Sequence, residues 1–180
     1  MKKLLALGLG VATLGVALSS RATAQNNNTT IPFVVVTLFT PGTVAVPVDL
    51  AVAGVVSNEM ERLLRERTVI SPITGVAIPP EIVTVAIGMM TTATPEVRAQ
   101  MAKALSTAGT NAGVVDQLLS NLPSLLSRPT PGQLQNALSA FNGFKNNANA
   151  AFLVNPPAEF LALHAILLQI STAANRIPHP

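Results

Sequence analysis

Prolines divide this chain more than any other residue type. Of its 14 prolines, those at positions 47, 80, 95, 131 and 156–157 each stand just ahead of an apolar run. Proline fixes φ and has no backbone N–H, so it suits the first turn of a helix and interrupts one anywhere later. The chain is therefore expected to fold as several short helices, not as a few long ones.

The residues around these prolines agree. Thr94-Pro95-Glu96 supplies an N-cap, a first-turn proline and an acid, and Val97, Met101, Ala104, Leu105 and Ala108 follow at helical spacing up to Gly109. Val115, Leu118, Leu119, Leu122, Leu125 and Leu126 mark another helix, which Pro123 should kink or split. Thr130-Pro131 opens a third, with Leu134, Ala137, Leu138 and Phe141 on one side, and residues 143–149 follow as a polar loop. Asn155-Pro156-Pro157 opens the last helix, apolar on nearly every side from Phe160 to Ile170 and so expected at the centre. The repeated Thr-Pro starts share capping chemistry, but the residues after them do not align as a repeat.

Upstream, residues 33–39 (FVVVTLF) and 43–48 (TVAVPV) are β-branched and separated by Thr40-Pro41-Gly42, which suits a turn. A short N-terminal β-hairpin is expected, or an extended arm, because Pro47 sits badly in a paired strand. Pro47-Val48-Asp49 also carries a helix start. Residues 68–90 send mixed signals. Ser71-Pro72 and Thr74-Gly75 mark turns, and Pro79-Pro80-Glu81 can open a helix ending at Met89-Met90. The β-branched residues 82–85 argue equally for a strand. We read this region as a buried helix. The fold class is thus mainly all-α, a small bundle of about five or six helices behind a short hairpin or arm.

Charge is concentrated in residues 59–67 (EMERLLRER), where six of nine are charged. On a helical wheel Val52, Ala53, Val56, Met60, Leu63 and Leu64 share one arc, while Glu59, Glu61, Arg62, Arg65 and Glu66 gather opposite. Glu61–Arg65 and Arg62–Glu66 have the spacing of i,i+4 pairs, and Arg67 falls toward the apolar arc at the helix end. Charges that segregate so cleanly read as a solvated helix face. A catalytic cluster would break the apolar arc.

The first residues have the form of a secretory signal. Lys2 and Lys3 precede an apolar run over residues 4–18, and Ala22-Thr23-Ala24 offers a cleavage site before Gln25. The expected division is a signal peptide over 1–24, a polar disordered leader over 25–32, one helical domain over 33–175 and a flexible tail over 176–180. Export to the periplasm or the extracellular space follows. The precursor is +3. Removing Lys2, Lys3 and Arg21 leaves eight basic and eight acidic residues, hence zero. A neutral chain has no positive stripe for nucleic acid. With no cysteine, disulfides contribute nothing.

Few residues are candidates for chemistry. His164 lies among apolar neighbours on the last helix, five positions from Glu159 and on a different face, as a satisfied or partly exposed core histidine would. His179 lies between prolines in the tail. Met60, Met89, Met90 and Met101 are spaced for core filling, not for a soft metal site. Trp and Tyr are absent, which weighs against stacking sites for sugars or single strands. No catalytic, cofactor-binding or metal-binding residue is expected, and no enzyme activity. The expected function is an exported structural or protein-interaction module of the cell envelope or extracellular space. The alternative is a carrier holding a lipid or other apolar ligand between helices. Sixteen charged residues in about 156 is low, against about 25% for soluble domains. The apolar residues of 33–56 and 69–93 exceed what a five-helix core needs. Self-association or a protein partner in the envelope is therefore expected.

Overall fold

A computed structural model describes residues 46–123, 125 and 130–177. The proposed signal peptide, the polar leader and the run over 33–39 lie outside the described residues. Among those described, seven helices and one two-stranded sheet surround a single apolar cluster running from Val52 to Ala174. The chain is mainly all-α and bundle-like.

Helix α1 spans Val46–Glu66, so Val46, Pro47 and Val48 are helical and the expected second strand over 43–48 does not reach them. The helix-start reading of Pro47-Val48-Asp49 holds instead, because proline is tolerated in a first turn and not in a paired strand. Val52, Val56, Met60 and Leu63 bury one stripe of α1. The helix stops at Arg67, which adopts the left-handed conformation (φ 47°) and donates its N–H to the Leu63 carbonyl at 2.9 Å. That reversal turns the Arg67 side chain out to solvent, away from the apolar arc where its spacing had put it.

A short hairpin precedes the expected helix, and its turn uses the residues marked at Ser71-Pro72 and Thr74-Gly75. Strand β1 (Val69–Ile70) pairs antiparallel with β2 (Ala77–Ile78), Val69 opposite Ile78. Ser71 holds the turn: its N–H donates to Val76 O, its carbonyl accepts from Gly75, and its hydroxyl accepts from Ile73 and Thr74. Gly75 takes a positive φ (68°) inside this turn, a conformation that glycine adopts without steric cost. Strands of two residues are too short to leave a period in sequence, so only their turn residues were legible. The second half of the region is the expected helix: α2 (Pro80–Thr91) buries Val83, Ala86, Ile87, Met89 and Met90.

Helix α3 (Pro95–Ser106) is capped by Thr94, whose hydroxyl accepts from Val97 N–H at 3.4 Å. Helix α4 (Ala112–Asn121) is capped by Asn111 and ends two residues before Pro123, as its position requires. Leu122 and Leu125 are buried beyond the break. Helix α5 (Pro131–Asn147) is capped by Thr130 and packs along α4.

Of the polar loop expected over 143–149, only Ala148 and Asn149 lie outside a helix. Helix α5 continues through Asn147 because Phe144 is fully buried, its ring 5.5 Å from Phe160 and 5.7 Å from Phe152. Exposed Asn146 and Asn147 are simply the outer side of that turn. Asn149 then caps a short helix α6 (Ala150–Val154), accepting from Phe152 N–H at 2.8 Å.

Helix α7 (Ala158–Ala174) is the hub, touching α1, α2, α3, α5 and both strands. Its Phe160 lies 5.0 Å from Phe141 and 5.0 Å from Phe152 by ring centroids, so one residue joins α5 and α6 to the centre. The tail begins less loosely than expected. Ile177 donates to Ala174 O at 3.2 Å and packs half-buried on the core, since an apolar side chain beside exposed core surface gains by covering it. Residues 178–180, with His179, lie outside the described residues.

Candidate functional site

His164 is fully buried on α7, with its ring stacked against Phe141 at 5.7 Å and 11° between planes. The partly exposed alternative is thereby overturned, because the flat imidazole fills a gap in the phenylalanine layer. Glu159 lies in the first turn of α7, beside a groove that does not include His164. Met60, Met89, Met90 and Met101 are all core residues. Among the described residues no three His, Asp or Glu side chains gather as a metal site.

The charged stretch of α1 is part solvated face and part clamp. Arg62 donates to Glu59 Oε2 and to Glu66 Oε2, each at 2.8 Å, and reaches across to Gln169 Oε1 on α7 at 2.9 Å. Glu59 comes first among the causes that raise the Arg62 pKa above its ordinary value; partial burial opposes it. The Arg62–Glu66 spacing was legible in sequence. The Glu59 contact was not, and neither was Gln169, which lies 107 positions away. Arg98 does similar work between α3 and α4, donating to Leu119 O and Ser120 Oγ near the C-terminus of α4 and pairing with Asp116 at 3.6 Å. A cation there also meets the negative end of the helix dipole.

Open grooves indent the described surface. One of about 350 Å³ runs between α1 and α7, past Glu59, Arg62, Gln169, Thr172 and Arg176. A second, about 490 Å³, lies between α3 and the start of α7, with Lys103, Thr107 and Glu159 on its walls. A third, about 290 Å³, is lined by Thr110, Val115 and Asp116.

The most unusual surface is the hairpin with the end of α1. Residues 68–80 contain no charged residue. Alternation in β1 and β2 turns Val69 and Ile78 inward and leaves Ile70 and Ala77 outside. Ile70 is 58% and Val76 64% exposed, and Leu64 on the last turn of α1 is 47% exposed. Pro72, Pro79 and Pro80 are exposed around them. Arg65, Arg67, Glu61 and Glu81, all exposed, flank this apolar surface in the chain.

No protein-family model matches the chain, and neither does any curated protein or solved structure. No helix among the described residues is long and apolar enough to cross a membrane.

The apolar residues of 69–93 thus divide in two. Those of α2 face the core, while the hairpin sends Val69 and Ile78 inward and leaves Ile70 and Val76 at the surface. The only signal for the division was the cluster of turn residues at Ser71-Pro72 and Thr74-Gly75.

Proposed function

We propose that this chain is an exported interaction module which docks through its hairpin and the adjoining end of α1. The observation that carries this reading is the exposure of Ile70 and Val76 on an uncharged hairpin that packs on α7 with Val69 and Ile78 buried. Apolar side chains displayed together and rimmed by polar residues are the usual mark of a docking surface. The polar core histidine, stacked and fully buried, gives no support to a catalytic reading. The phenylalanine layer of α5, α6 and α7 fills the space between those helices, which favours docking over the carriage of an apolar ligand.

A photo-crosslinking residue placed at Val76 tests the reading in the native source, with the same residue at exposed Val154 on α6 as control. One adduct of defined mass from position 76, and none from 154, is the expected result. Absence of any adduct at 76, or equal labelling at both, would overturn it.

A further inference from the structure

We draw no further inference here: the strongest candidate, the open groove between α1 and α7 lined by Glu59, Arg62, Gln169, Thr172 and Arg176, carries nothing, because Glu59 and Glu66 already engage the Arg62 guanidinium and nothing in the structure shows what would occupy the groove.

Discussion

Arg62 on α1 and Gln169 on α7 are joined by a 2.9 Å hydrogen bond, although 107 positions separate them in the chain. The same guanidinium is held by Glu59 and Glu66 on its own helix, so α1 presents a pre-oriented donor to α7. Arg62→Gln should lower stability by only about 0.5–1 kcal/mol, since the group is partly exposed and solvent screens it. The Arg62 pKa is raised above its ordinary value. A cation whose folded pKa is raised contributes fully below its unfolded value and loses that contribution only as pH climbs through the folded one. The difference between wild type and variant should therefore be the same at neutral and mildly alkaline pH. Thermal melts at both values check this.

Asn149 ties the end of α3 to the start of α6. Its N–H donates to Ala108 O at 2.9 Å, its side-chain amide donates to Thr107 O at 3.3 Å, and its carbonyl caps Phe152. Gly109 lies beneath it with φ 65°, and a Cβ there would meet Asn149 Nδ2 at 2.8 Å. Gly109→Ala should destabilise by about 1–2 kcal/mol from backbone conformation alone, with the clash adding to it. Asn149→Ala should cost about 1–2 kcal/mol for the lost cap. Urea denaturation measures both, and a double variant no worse than Gly109→Ala alone would show that they act through one contact.

His164→Gln should lower stability by about 1–3 kcal/mol, because it replaces a stacked, fully buried ring with a flexible amide. Docking through the hairpin should be unaffected. Loss of the Val76 crosslink in a variant that keeps its native spectrum would give His164 a functional role.

Arg67 holds a left-handed conformation that glycine adopts more readily. Arg67→Gly should raise stability by about 1 kcal/mol. Thermal melts of the two proteins check this. A variant less stable than the wild type would show that the Arg67 side chain contributes more than its backbone conformation costs.

The proposed export implies a mature chain beginning at Gln25. N-terminal sequencing of the protein from its native source checks this. Material beginning at Met1 would make the first segment an anchor instead of a cleaved signal.

The sequence by itself determined where most helices begin. Thr94, Asn111 and Thr130 each accept an N–H within three residues, and Pro80, Pro95 and Pro131 fix φ in the first turn. Such signals act within one turn, so they survive without any tertiary context. The apolar stripe of α1 and the all-apolar character of α7 were legible for the same reason, because a helix of known period writes its buried face into the sequence. Only the tertiary structure decided the rest. Lys145, Asn146 and Asn147 read as a loop until Phe144 finds Phe152 and Phe160, and then the turn is helical. His164 could have faced solvent, and the layer around Phe141 buries it. At the candidate site, Ile70 and Val83 look equally apolar in sequence. Antiparallel pairing turns one outward while packing encloses the other. Exposure is set by contacts between residues far apart in the chain, and those contacts leave no local trace.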